Sequence, residues 1–177
     1  MSSPVAENSS PSVEGGAGLS GATQTLDKAL FRQALGRFAT GVTVITTMVG
    51  EDVHGMTASA FMSGSLEPPL VVISIARKAR IHALIEASAV FGVSILHAGQ
   101  ELHGRHFGGQ ASAECIPGFT AHEGIPMLDD ALASIAATVE HAYACGDHTL
   151  FLGRVRHLRV TDGEPLLHFT GNFRKIG

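Results

Sequence analysis

Gly55-Met56-Thr57-Ala58-Ser59-Ala60-Phe61, followed by Leu66-Glu67-Pro68-Pro69-Leu70, is the stretch on which the reading of this chain turns. Thr57 and Ser59 alternate with Ala58 and Ala60, so a strand here places hydroxyls on one face and little bulk on the other. Small residues beside a strand let a flat, polar-edged ligand reach backbone N–H groups, because no large side chain stands in the way. Taken alone, the alternation is equally that of a half-exposed strand. Pro68-Pro69 lacks two backbone donors and leads an extended chain into Leu70-Val71-Val72-Ile73-Ser74-Ile75-Ala76.

The same periodicity spreads outward from this stretch. Residues 42–48, 70–76, 90–96, 134–144 and 149–160 are β-branched or alternating segments separated by Gly, Pro or polar turns, which predicts strands. Thr25 is placed to cap a helix in which Leu26, Ala29, Leu30, Ala34 and Phe38 recur at helical spacing until Gly41. Shorter helices are predicted over 79–88 and 100–107. Strand and helix do not alternate regularly, which disfavours a parallel doubly wound sheet. The expected fold is mainly β, an antiparallel barrel with a few flanking short helices, since closure removes exposed edges.

With 177 residues, 45% of them hydrophobic, the chain can bury one core but not two comfortable ones. A net charge of −4 and no long basic run give no footprint for nucleic acid or an anionic membrane. No apolar run reaches membrane-spanning length and no secretory signal is visible, so a soluble cytoplasmic protein is expected. Cys115 and Cys145 form no CxxC pair and are expected to be buried thiols without a catalytic role. His103 and His106 lie three apart on a predicted helix, yet no third ligand completes a metal set, so no metal is expected. Residues 1–24 are rich in Ser, Gly, Pro and Ala and are expected to form a disordered tail ahead of one domain over 25–177. Gly16-Ala17-Gly18-Leu19-Ser20-Gly21 matches G-x-G-x-x-G there, but no strand precedes it, so it carries no dinucleotide reading.

Together with Phe38-Ala39-Thr40-Gly41-Val42-Thr43-Val44 and Gly146-Asp147-His148, the opening stretch resembles the short-chain flavin reductase family across roughly residues 28–174. These are the reductase halves of two-component flavin monooxygenases. The resemblance implies an FMN-binding split β-barrel of Greek-key type, with FMN or FAD as flavin and NADH or NADPH as hydride donor. It implies that Met56, Thr57, Ala58, Ser59 and Ala60 line the isoalloxazine edge through backbone N–H groups and hydroxyls. Donors aimed at the pyrimidine end would stabilise negative charge developing there on reduction.

The strand ending in Ser74 and Ala76 leads into Arg77-Lys78-Ala79-Arg80, where helix amides and cations make a site for the flavin phosphate. From composition alone this is equally a solvated basic turn. The family places Ser and Thr here, whereas this chain has Lys78, Ala79 and Ile81, which shifts the expected phosphate contacts to Arg77 and Arg80. Gln100 and Arg105 resemble positions bordering the far end of the cofactor, and either alone also reads as a surface residue of an amphipathic helix. His148, with Asp147 beside it, matches the family's histidine near the nicotinamide; without the other motifs it reads as a turn cap. Phe173 in Gly171-Asn172-Phe173 matches an aromatic residue near the nucleotide pocket and reads equally as core.

The implied activity is NAD(P)H:flavin oxidoreduction, with diffusible reduced flavin serving a partner monooxygenase. The sequence is most similar to reductases serving antibiotic and aromatic metabolism. At an on-rate of about 10⁶ M⁻¹s⁻¹, micromolar affinity gives release at about one per second and nanomolar affinity about a thousandth of that, so a supplier holds flavin weakly. The rival readings are a flavin- or haem-binding split-barrel module without turnover and an enzyme that retains its flavin. The family also implies a homodimer whose pockets are bordered by both subunits.

Overall fold

The computed structural model describes residues 26–176; the expected tail, its glycine motif and Thr25 lie outside them. The chain runs through α1 (Lys28–Leu35), β1 (Thr40–Gly41), β2 (Thr43–Val49), β3 (Asp52–Ala58), β4 (Phe61–Ser65), β5 (Leu70–Ala76) and α2 (Arg80–Ser88). It continues with β6 (Val90–Ile95), a short 3₁₀ turn, α3 (Glu101–Phe107), β7 (Phe119–His122) and β8 (Ile125–Leu128). The last elements are β9 (Ala133–Cys145), β10 (His148–Val160), β11 (Leu167–Phe169) and β12 (Asn172–Arg174).

Seven antiparallel strands form the main sheet in the order β3-β2-β6-β9-β10-β5-β4. β3 and β4 are its two edges, yet only Ser59 and Ala60 separate them in the chain. Two residues cannot cross the width of a flat seven-stranded sheet, whose strands lie about 4.8 Å apart. The sheet therefore curls until its edges meet, but β3 and β4 share no ladder, and the barrel is split along that seam. The Ala60 carbonyl accepts a hydrogen bond from the Ser74 amide at 3.1 Å, pinning the connection to β5. Sequence periodicity merges 55–61 into one strand; the turn toward β4 at Ser59 and Ala60 breaks it in two.

β5 alternates half-buried and buried along its whole length, as its apolar pattern requires. Its Val71, Ile73 and Ile75 meet Ile45, Phe91, Val93 and Phe151 inside the barrel, and α2 closes one end with Ile81 and Ile85. A second cluster of Val42, Val44, Leu96, Leu128 and Leu166 joins the barrel to the small sheet β1-β11-β12. There the Val42 amide donates to Leu166, Leu96 to Val42 and Leu166 to Leu96. The β7–β8 hairpin lies against the sheet, held by the Leu128 amide on the Ser94 hydroxyl at 2.9 Å and by the Thr46 hydroxyl on the Pro126 carbonyl.

The expected strands over 42–48, 70–76, 90–96, 134–144 and 149–160 correspond to β2, β5, β6, β9 and β10. The first helix is shorter than its periodicity predicts, because the Asp27 carboxylate caps the Ala29 amide at 2.8 Å and the helix stops at Gly36. Of the two cysteines, both expected to be buried, only one is. Cys115 is buried, which pushes its thiol pKa up, whereas Cys145 is exposed on the β9–β10 hairpin. Among the described residues no helix is long and apolar enough to cross a membrane.

Phe151 is wholly buried at the centre of the barrel core. Phe151→Ala is expected to cost about 3–5 kcal/mol, read as a lower urea midpoint with an unchanged slope.

Candidate functional site

A groove of about 350 Å³ opens beside the seam, between the end of β3, one face of α3 and the β11–β12 hairpin. Its walls are Val42, Thr57, Ala58, Ser59, Gly104, Arg105, Gly108, Gln110, His168, Gly171, Asn172 and Phe173. Of the residues expected at the cofactor, Thr57, Ala58, Ser59, Arg105 and Phe173 converge here.

β3 supplies one wall because it is an edge strand whose far side bears no ladder. Met56 and Ala58 turn their side chains to the barrel core, which leaves the opposite face to Thr57 and Ser59. The Thr57 hydroxyl donates to the Gly104 carbonyl at 2.7 Å and so locks β3 to α3. Gly55 permits that approach, since a Cβ there would stand 2.7 Å from the Phe107 ring. Gly104 does the same for the other wall, where a Cβ would come within 3.0 Å of Phe173.

Among the described residues Arg105 is the one permanently charged side chain lining the groove, and none of them lines it with a carboxylate. Its guanidinium donates to Glu101 at 2.6 and 3.0 Å and lies 5.3 Å from the centroid of Phe173. It is thus braced from outside the groove. His168 meets Phe173 edge to face with centroids 6.0 Å apart. A planar ring with a polar, electron-rich edge fits these walls: backbone donors and the Ser59 hydroxyl on the β3 side, an aromatic ring and a guanidinium opposite, glycines where a side chain would fill the space. The residues present fit a flavin.

Most of the remaining expected residues are linked in a second group around β5 and the start of β10. Ala60 and Ser74 are hydrogen-bonded, Ala76 stands opposite His148, and the Arg77 amide donates to the Asp147 carbonyl at 3.0 Å. The Arg77 guanidinium bonds the Gly146 carbonyl, which ties it to the β9–β10 turn, whereas the neighbouring Lys78 and Arg80 make no side-chain hydrogen bond among the described residues. The first turn of α2 has no side-chain cap, so its amides seek partners outside the helix. His148 begins β10 after the tight turn at Gly146, whose φ of 60° suits glycine. Its Nδ1 lies 2.7 Å from the Asp147 carboxylate, and that hydrogen bond together with the imidazole charge holds the Asp147 carboxyl below its ordinary range. The pair directs Nε2 away from the turn.

Gln100 stands apart from both groups. It is 4% exposed, its amide donates to the Asp129 carbonyl at 3.0 Å and its oxygen accepts from the His97 amide at 3.2 Å, and it borders a different hollow. Gly104, Gly108, Gln110 and His168 line the groove without having been picked out in the sequence, whereas Val42, Gly171 and Asn172 stand in the quoted motifs without an assigned role. Only Gly104, a glycine within a predicted helix, carried a local signal.

The barrel, its open seam and a flat groove with cationic and aromatic walls define a protein that binds a planar heterocyclic cofactor. The chain belongs to the flavin reductase-like domain family, whose model matches residues 35–177. It is similar to an NADH-dependent flavin reductase of a Rhodococcus species, 47% identical over 82% of this chain and 84% of that one. It is also similar to the reductase component of 4-hydroxyphenylacetate 3-monooxygenase of Thermus thermophilus, 38% identical over 84% and 97%. Among solved structures it superimposes on the Streptomyces globisporus C-1027 NADH:FAD oxidoreductase with a TM-score of 0.81 and 34% identity, covering 89% of this chain and 98% of that one.

In the hollow that Gln100 borders, burial and the neighbouring His106 and His97 lower the pKa of His103, whose Nδ1 has no hydrogen-bond partner among the described residues. Below about pH 6.5 the unfolded chain protonates this histidine while the folded one does not. Its contribution to stability is present above that pH and is lost as pH falls toward the lowered folded value. His103→Gln is therefore expected to lose less thermal stability than the parent between pH 7 and pH 5, measured by calorimetry.

Proposed function

We infer that this protein is an NADH-dependent flavin reductase that supplies diffusible reduced FMN or FAD to a separate monooxygenase. The observation that carries the reading is the groove itself: hydroxyl-bearing edge strand on one side, Arg105 and Phe173 on the other, and, among the described residues, no carboxylate between them. The similarity to NADH-dependent reductases and to a monooxygenase reductase component supports the same donor and the same role.

Flavin and nicotinamide supply the chemistry when bound, a hydride passing between stacked rings. The chain's residues do the positioning. Backbone groups of Met56, Thr57, Ala58, Ser59 and Ala60 receive the polar edge of the flavin, and Arg105 adds positive potential near the groove. Ser74 and Ala76 carry the binding edge from Ala60 toward His148. Arg80, with Lys78 and the α2 amides, receives the phosphate; Arg77 shapes the turn that presents it. His148 orients the nicotinamide through Nε2, with Asp147 fixing the ring, and Phe173 borders the nucleotide. Gln100 acts from behind α3, holding the 3₁₀ turn that precedes it.

The active form is a homodimer. α1 buries none of its residues, and Leu30, Phe31 and Leu35, with Leu26 and Phe38 beside it, are at least half exposed. An apolar patch of this kind on one helix marks a protein contact. Sedimentation is expected to show twice the 18.4 kDa chain mass, and Phe31→Glu to shift the population toward monomer.

NADH oxidation followed at the nicotinamide absorbance with excess FMN or FAD tests the activity. Turnover with at least one flavin is expected. His148→Ala should lower kcat/KM for NADH about 10²-fold and leave the flavin dissociation constant unchanged. No oxidation with either flavin would make the protein a binding module, and a stoichiometric flavin surviving gel filtration would exclude a diffusible supply.

A further inference from the structure

One buried imidazole takes no part in this scheme, and it lies between the two halves of the second group. His82 is 6% exposed on the inner face of α2, its ring tilted 59° to Phe151 with centroids 5.4 Å apart. Its Nε2 is 2.7 Å from the hydroxyl of Thr149, itself 6% exposed. Its Nδ1 lies 3.4 Å from the Glu86 carboxylate one turn further along α2. A carboxylate at Nδ1 keeps the proton there, so Nε2 accepts and the Thr149 hydroxyl donates.

Among the described residues this is the one side-chain hydrogen bond joining α2 to β10. Its position is what gives it consequence. Arg80 lies two residues before His82 on α2, and His148 lies one residue before Thr149 on β10. Successive side chains of a strand point to opposite faces, so anchoring Thr149 inward sets the direction in which His148 projects outward. The same bond fixes the rotation and height of the helix whose first turn carries Arg80.

We propose that His82 is a positioning residue which, through Thr149, holds the phosphate-binding end of α2 and the nicotinamide-orienting His148 in one geometry. The proposal rests on the reductase reading above and adds to it a residue that touches neither cofactor. His82 acts as a strut with two polar ends: Glu86 sets its tautomer and Thr149 receives its pull. Phe151 supplies the packing that keeps the ring from turning.

The test uses the full chain and three substitutions. His82→Phe keeps the ring against Phe151 and removes the hydrogen bond to Thr149 together with the Glu86 contact; Thr149→Val keeps the branched shape and removes the donor; Thr149→Ser keeps the donor. Steady-state kinetics with NADH and FMN or FAD should show kcat/KM for NADH falling about tenfold and the flavin KM rising in His82→Phe and Thr149→Val. The double variant should be no worse than either single one, because both break the same bond. Thr149→Ser should behave as the parent, a rescue that a purely structural role for residue 149 does not predict. Single variants that fold and stay within about twofold of the parent, or losses that multiply in the double variant, overturn the proposal. Should His82→Phe fail to fold, the Thr149→Val and Thr149→Ser pair decides it alone. The parent's own NADH oxidation is measured alongside: its absence overturns the reductase reading, whereas an active parent with indifferent variants overturns the role of His82 only.

Discussion

Two residues, Ser59 and Ala60, connect strands that stand at opposite edges of a seven-stranded sheet, and the rest of the structure follows from that short bridge. The sheet has to roll up to bring its edges within reach, which gives the chain one enclosed core of Ile45, Ile73, Ile75, Phe91 and Phe151. It does not have to zip them together. β3 is left with an outer edge free of ladder bonds, a condition that other proteins cover or charge to prevent association. Here α3 flanks the edge, and the small residues of β3 leave an open groove where a further strand would otherwise pair.

Electrostatics favour electron-rich groups at the places where this edge is open. The chain is acidic overall, yet Arg105 borders the groove while no described residue lines it with a carboxylate, and Lys78 and Arg80 gather at the first turn of α2. Fixed donors held by the fold need no rearrangement as negative charge grows on a bound ring, which makes them worth more than the same groups in water. Two carboxylates stand close by and both are engaged, Asp147 with His148 at 2.7 Å and Glu101 with Arg105 at 2.6 Å. The site is shallow and half open, as suits a reductase whose flavin must leave within a turnover.

Much of the fold was legible because the long strands carry their own signal. β5 alternates buried and half-buried side chains without interruption, β2 and β6 are rich in β-branched residues, and the first halves of β9 and β10 alternate buried with half-buried positions. β1, β7, β8, β11 and β12 were not legible. They are two to four residues long, too short for any period, and exist because other parts of the chain hold them. The interlocked bonds among Val42, Leu96 and Leu166 show how: each amide finds its carbonyl on a segment more than 50 residues away. The place of His168 in the groove wall was hidden for the same reason.

What the sequence determined by itself was the composition of one binding edge, because hydroxyls and small residues from Gly55 to Ala60 act through their own backbone and need only be a strand. What the tertiary structure decided was which distant residues face that edge. It brought Arg105 and Phe173 to the groove, directed the Arg77 guanidinium into a turn, and buried Gln100 behind α3. All four looked alike as candidates in the linear chain, since a side chain's role depends on which carbonyl, ring or solvent lies within about 3–6 Å of it, and that distance is set only once the barrel has closed.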